Sequence, residues 1–87
     1  MHERPGITRA ARNVRRDLGI RIRELRVGKK LSQEKAAEAI GVHAKHLQRL
    51  ELGIGNATVT TLVAIAMAYG VHVQDLFDAP SVSRRKA

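Results

Sequence analysis

Cysteine and tryptophan are absent from this 87-residue chain, and its only aromatic side chains are Tyr69 and Phe77. The lack of cysteine excludes disulfides, cysteine-bound zinc and thiol chemistry, and it suits a reducing cytosol. No apolar run approaches the roughly 18 residues needed to span a bilayer, and residues 1–13 contain no apolar stretch like that of a signal peptide. We therefore expect one small domain with a core of aliphatic side chains.

Positive charge is concentrated at the two ends of the chain. Of the formal charge of +8, residues 1–17 carry +3 and residues 79–87 carry +3, whereas residues 18–78 are nearly balanced at +2. Basic flanks favour a polyanionic partner, since binding releases condensed counterions, but they also keep a small protein soluble. We predict a basic flexible arm over residues 1–13, in which helix could begin at Thr8, and a basic tail over residues 79–87.

The spacing of apolar residues predicts five helices and gives no strand pattern. The clearest signal is the series Leu62, Ile65, Ala66 and Tyr69, which places one apolar face on a helix. Ser and Thr caps and the glycines that end helices set the boundaries. The five helices are expected from Val14 to Gly28, from Gln33 to Ile40, from Ala44 to Glu51, between Thr58 and Gly70, and from Val73 to Phe77.

The second and third helices are joined by only three residues, so they must meet closely. The small side chain of Ala37 is suited to the crossing point, and Gly41 supplies the positive φ that the turn needs. Val42 then lies beneath the turn. This spacing predicts a helix-turn-helix.

The third helix has one apolar face and one polar face. Leu47 and Leu50 are expected to face the body of the protein. The residues left on the outer face are Ala44, Lys45, Gln48 and Arg49. Such a face is short, polar and basic, and it can reach the edges of DNA bases.

Five segments occur together in the order and spacing of a known family. They are "LGIRIRELR", "LSQEKAAEAIGV", "LQRLELG", "TLVAIAMAYGV" and "DLF", and they span about two thirds of the chain, from Leu18 to Phe77. Together they resemble the Cro and phage-repressor type of helix-turn-helix proteins, the XRE family. The resemblance implies an all-α, lambda-repressor-like DNA-binding domain over residues 14–78. It also implies a sequence-specific transcriptional regulator that binds double-stranded DNA as a homodimer on a two-fold symmetric operator.

The resemblance also implies roles for particular residues. The positions that touch DNA in this family are occupied here by Gln33, His43, Ala44, Lys45, Gln48, Arg49 and Asn56. Gln48 can pair with adenine, whereas Lys45 and Arg49 can donate to guanine, and Gln33 would contact a phosphate at the start of its helix. Arg26 and Glu51 match a family pair that forms a structural salt bridge.

The end of the domain is the predicted dimer interface, because it offers more apolar surface than one small body needs. Its residues are Tyr69, Val71, Val73, Leu76 and Phe77. His43 and His46 lie three residues apart without a third ligand, so we predict no metal site. No catalytic constellation, cofactor site or small-molecule ligand is evident, and we do not expect an enzyme.

Two alternatives stay open. The chain could serve as the controller protein of a restriction–modification operon or as an antitoxin. It could also be a protein-interaction adaptor that has lost DNA binding, because His43 stands where Ser or Thr usually caps the recognition helix. In the regulator interpretation we expect the protein in a prokaryotic cytoplasm, on the nucleoid when bound to DNA.

Overall fold

The computed structural model describes residues 6–78, and this part of the chain is all-helical, as the sequence predicts. Its elements are α1 (Ile7–Gly28), α2 (Gln33–Ile40), α3 (Ala44–Glu51), α4 (Val59–Tyr69) and a 3-10 helix (Val73–Phe77). None of these helices is both long and apolar enough to cross a membrane.

The prediction of five helices is not confirmed, because residues 6–78 contain four α-helices and the last element described is 3-10. The amide of Asp78 donates to Asp75 O at 3.4 Å, the short i to i+3 pattern. Asp78 itself is extended, with φ −65° and ψ 150°. Five residues that end in extended backbone leave too little length for an α-helix to propagate.

The first helix begins earlier than expected. Gly6 precedes it with φ 95°, and the first turn closes with the amide of Ala10 donating to Gly6 O at 3.0 Å. Residues 7–13 therefore belong to α1 rather than to a flexible arm, and the helix begins one residue before the possible start at Thr8. Alanine and arginine are good helix formers, so the helix extends through this segment. Residues 1–5 and the predicted tail over 79–87 lie outside the described residues.

The turn between α2 and α3 has the expected form. Ser32 caps α2, its hydroxyl accepting from the amide of Lys35 at 3.0 Å. Gly41 ends α2 with φ 93°, and the amides of Gly41 and Val42 both donate to Ala37 O, at 2.8 and 3.0 Å. Ala37 is only 2% exposed. The small alanine and the left-handed glycine thus let α3 turn sharply away from α2.

One apolar cluster receives side chains from every element. Its largest fully buried members are Ile22, Leu47, Ile65, Tyr69 and Leu76. Burial of Tyr69 and Leu76 corrects the predicted dimer interface, since both are 0% exposed within one chain and have no surface left for a partner. Their apolar side chains complete the core of a single copy instead.

The backbones of α1 and α3 touch at Gly19. A Cβ at this position would overlap the carbonyl oxygen of Leu50 and lie 2.7 Å from that of Glu51. A second close approach follows α3, where a Cβ at Gly53 would lie 3.0 Å from the Cα of Arg16. These two contacts fix how α1 lies against the end of α3.

Candidate nucleic-acid interface

The outer face of α3 presents three polar or basic side chains together. Lys45, Gln48 and Arg49 are all exposed, and their spacing of three and four residues places them on one side of the helix. Leu47 and Leu50, at 0% and 3% exposure, hold the opposite side in the core. The burial of two leucines therefore turns a polar, positively charged surface outward.

Ala44 and His43 stand at the beginning of α3. Ala44 is half-buried and packs against the core, so only part of its side chain is left exposed for the predicted DNA contact. His43 is exposed and extended, with φ −70° and ψ 143°, and its side chain makes no capping hydrogen bond. No side chain therefore caps the first turn, although the amide of His46 in that turn donates to His43 O at 3.0 Å.

The C-terminal end of α3 is joined to α1 by a buried ion pair. Arg26 Nε donates to Glu51 Oε2 at 2.6 Å, and Arg26 Nη2 donates to Glu51 Oε1 at 3.0 Å. Only 12% and 3% of the two side chains are exposed. The hydrogen bond to Glu51 outweighs burial and raises the pKa of Arg26. Because Arg26 Nη1 also donates to Leu31 O at 2.8 Å, the pair links α1, α3 and the segment before α2.

Gln33, at the start of α2, is held by the same carboxylate. The side-chain nitrogen Nε2 of Gln33 donates to Glu51 Oε1 at 3.0 Å. The side-chain oxygen of Gln33 takes no part in this hydrogen bond. The sequence predicts a phosphate contact at Gln33 but does not indicate this hydrogen bond, because the two residues stand 18 positions apart. Its effect is to fix the orientation of the side chain beside α3.

A polar cleft of about 400 Å³ lies between α1, the start of α2 and the end of α3. Gln33 and Gln48 line it, together with Arg23 and Leu52. Arg23 stands one helical turn before Arg26 and is not among the site residues that the sequence predicts. The structure thus adds a positive charge beside the predicted recognition face.

The loop after α3 contains the last predicted contact residue. Asn56 is exposed there. Arg49 Nη2 donates to Ile54 O at 3.5 Å, so this guanidinium leans toward the loop. The described site therefore runs from the beginning of α2, along the outer face of α3, to the loop at Asn56.

Comparison with known proteins agrees with this geometry. Residues 22–76 match the helix-turn-helix family. The control protein C.BamHI of Bacillus amyloliquefaciens is 31% identical over 80% of this chain and 88% of its own. The restriction–modification controller protein C.AhdI of Aeromonas hydrophila is 32% identical with a TM-score of 0.71, over 72% of this chain and 96% of its own. The clp gene regulator ClgR of Corynebacterium glutamicum is 27% identical with a TM-score of 0.74, over 84% of this chain and 78% of its own.

The exposed, basic face of α3 on this fold defines a DNA-binding regulator of transcription. More particularly, the chain belongs to the helix-turn-helix family and to its XRE type.

Proposed function

We propose that the protein binds a two-fold symmetric operator as a homodimer, placing α3 of each copy in the major groove. Gln48 reads adenine, and Lys45 and Arg49 donate to guanine O6 and N7. His43, Gln33 and Asn56 contact the phosphate backbone on either side and set the register. We place the protein in a prokaryotic cytoplasm, on the nucleoid when it is bound, and assign it no catalytic activity.

The observation that carries this proposal is the single exposed face formed by Lys45, Gln48 and Arg49. A solvated helix face needs no tight turn beneath it and no buried ion pair at its end. Here Gly41 sets the start of α3, while Glu51 anchors its other end to Arg26. Such support holds side chains in the fixed geometry that base recognition requires.

The energetics of recognition favour two copies. Each good base contact discriminates by about 1–3 kcal/mol, and a short helix makes few of them, which is too little to select one site in a genome. Two copies on half-sites one helical turn apart, roughly 34 Å, combine their discrimination. A homodimer therefore supplies specificity that one domain lacks.

The proposed dimer surface lies at the end of the described chain. Of the residues predicted there, Phe77 is 53% exposed, and Val71 and Val73 are half-buried. Phe77 borders a groove together with Val14 of α1. On α4, Met67 is 78% exposed. Apolar side chains left in water at this density favour burial against a second copy.

Control of a restriction–modification operon is the second candidate. It is favoured by the similarity to C.BamHI and C.AhdI, which extends over 88% and 96% of those two chains. The same operator-binding chemistry serves both candidates, so the operator's genomic neighbours separate them. The antitoxin and adaptor alternatives have no comparable observation behind them.

Selection of binding sites from random duplex DNA tests the proposal directly. We expect an enriched sequence with two-fold symmetry. On that sequence Lys45→Ala and Arg49→Ala should each lower affinity by about 1–3 kcal/mol and relax the preference at one base position. The matched control is Lys29→Ala, which removes an exposed charge at the C-terminal end of α1. This variant should retain the base preference of the wild type.

Two results would contradict the proposal. If no sequence is enriched, the protein does not read DNA and the adaptor interpretation gains support. If a sequence is enriched but both α3 variants bind it as tightly as the wild type, α3 is not the recognition helix.

A further inference from the structure

A row of four arginines runs along one side of α1. Arg9, Arg16 and Arg23 are seven residues apart, which returns a side chain to nearly the same side after two turns, and Arg12 lies between the first two. At 1.5 Å per residue this arginine row is about 21 Å long. Arg9, Arg12 and Arg23 are exposed, and 63% of the Arg16 side chain is exposed.

The arginine row lies on the side of α1 that faces the end of α3. Arg23 lines the same cleft as Gln48 of the recognition face. Gly53, two residues after α3, lies against the backbone of Arg16. Arg12 and Arg9 lie about one and two turns from Arg16, toward the N-terminus of α1. The row thus begins beside the proposed DNA-reading face and continues past the loop that follows it.

Helix stability does not explain this concentration of charge. The first turn of α1 contains no acidic residue, and the positive end of the helix dipole disfavours cations there. Arginines three or four residues apart also repel one another. Within the described part of the chain, Arg9 and Arg12 make no ion pair, and Arg16 pairs with its neighbour Asp17 at 3.2 Å. A polyanion outside the protein would relieve this repulsion.

We propose that the arginine row is a second DNA-binding surface, which contacts backbone phosphates that flank each half-site. The inference rests on the proposed function, since α3 in the major groove brings α1 alongside the duplex. Each DNA strand carries a phosphate about every 3.4 Å along the axis, so a row of this length spans several. The guanidinium group matches phosphate oxygens in pairs. Such contacts add affinity and fix register without reading sequence.

The test compares two double variants on the selected operator. Arg9→Gln with Arg12→Gln removes two charges from the row while keeping good helix formers. Lys29→Gln with Lys30→Gln is the control, because it removes two exposed charges just after the C-terminal end of α1. Lys29 lies there beside Gly70, at the end of α4, and not beside the arginine row. Dissociation constants are measured between about 50 and 200 mM salt, and circular dichroism checks that helix content is unchanged.

We expect the row variant to lower affinity on the order of tenfold and to reduce the salt slope by about 1.8, since each phosphate that is no longer neutralised reduces it by about 0.9. The lysine control should keep the wild-type slope, and so should Arg9→Lys with Arg12→Lys, which retains the charge. Removing the flanking base pairs from the duplex should lower the affinity of the wild type to that of the row variant.

If the wild type and the row variant show the same salt slope on the duplex that keeps its flanking base pairs, the inference is overturned and the proposed function is left intact. Equal decreases in affinity for the row variant and the lysine control would also overturn it, because they indicate a non-specific charge effect. Failure of the wild type to prefer any sequence would instead overturn the proposed function itself.

Discussion

At the scale of single residues, the hydroxyl group of Tyr69 is a buried polar group close enough to Glu51 and Arg26 to feel their charges. It is buried and has no hydrogen-bond partner within the described part of the chain. Burial first, and then the Glu51 carboxylate, raise the pKa of Tyr69 to about 12, above its ordinary value of 10.0. The tyrosine therefore keeps its proton in the folded state at pH values where the unfolded chain loses it.

This difference predicts a loss of stability in alkali that depends on Tyr69. Below pH 10 both states hold the proton and the contribution is constant, whereas between pH 10 and 12 the unfolded state alone releases it, so the free energy of unfolding falls. The Tyr69→Phe variant should not show this alkaline fall in the free energy of unfolding. At neutral pH it should be more stable than the wild type by roughly 1 kcal/mol, since it removes an unpaired buried hydroxyl. Urea unfolding of both proteins from neutral to alkaline pH measures this. The same alkaline decline in both would refute the assignment.

The sequence predicts the two faces of α3 better than it predicts the role of the apolar residues at the end of the domain. Lys45, Gln48 and Arg49 follow from helical spacing alone, because two leucines decide which side of α3 is buried. The misplacement of Tyr69 and Leu76 has a different cause. An apolar residue near the end of a chain suits a core and an interface equally well, and only the path of the backbone decides between them.

At the scale of elements, the crossing of α1 and α3 depends on Gly19. In an open helix, alanine is more favourable than glycine by about 1 kcal/mol. At Gly19 the added Cβ meets two carbonyl groups of α3, and backbone cannot move aside as a flexible side chain can. The separation of the two helices therefore depends on a missing methyl group.

Gly19→Ala and Gly28→Ala form a matched pair for this idea, since both replace a glycine within α1. A Cβ at Gly28 meets nothing within 4 Å. We expect Gly19→Ala to lower the free energy of unfolding by about 1–3 kcal/mol through overpacking and to weaken operator binding. Gly28→Ala should raise stability by up to about 1 kcal/mol. Chemical denaturation measures both, and a stabilised Gly19→Ala variant would show that α1 is free to shift.

Most of the elements are predictable because their signals are local. The cap at Ser32, the turn at Gly41 and the apolar face of α4 each depend on residues within a few positions. The extra turns of α1 carry only a weak apolar period, at Ile7, Ala11 and Val14, so the pattern fits both a flexible arm and a helix from about Thr8. The Gln33 to Glu51 hydrogen bond depends on α2 and α3 meeting in space, which no local pattern reveals.

At the scale of the whole molecule, the proposed homodimer depends on the exposed apolar surface around Phe77. Phe77→Asp places a charge on a side chain that is 53% exposed, so the fold of one copy should persist. We expect sedimentation velocity to show a wild-type dimer and a monomeric variant, since an unpaired charge is costly to bury in an interface. The variant should bind a single half-site normally but lose most of its affinity for the full operator.

Leu52→Asp is a suitable comparison for that experiment. Leu52 is 65% exposed. It lines the cleft beside Gln33 and does not belong to the proposed dimer surface around Phe77. This variant should remain dimeric. A Phe77→Asp protein that sediments like the wild type would place the contact between copies elsewhere, with Met67 of α4 the next residue to change.

In the proposed complex, the close contact at Gly19 would also determine where the N-terminal end of α1 lies relative to the duplex. With no side chain between the two backbones, α1 cannot tilt against α3 without separating from it. In the proposed complex, any change in how deeply α3 enters the groove would therefore also move Arg9 and Arg12 relative to the flanking phosphates. Base pairs that the protein never reads would then influence how well the half-site fits, through the bend that brings their phosphates within reach of α1.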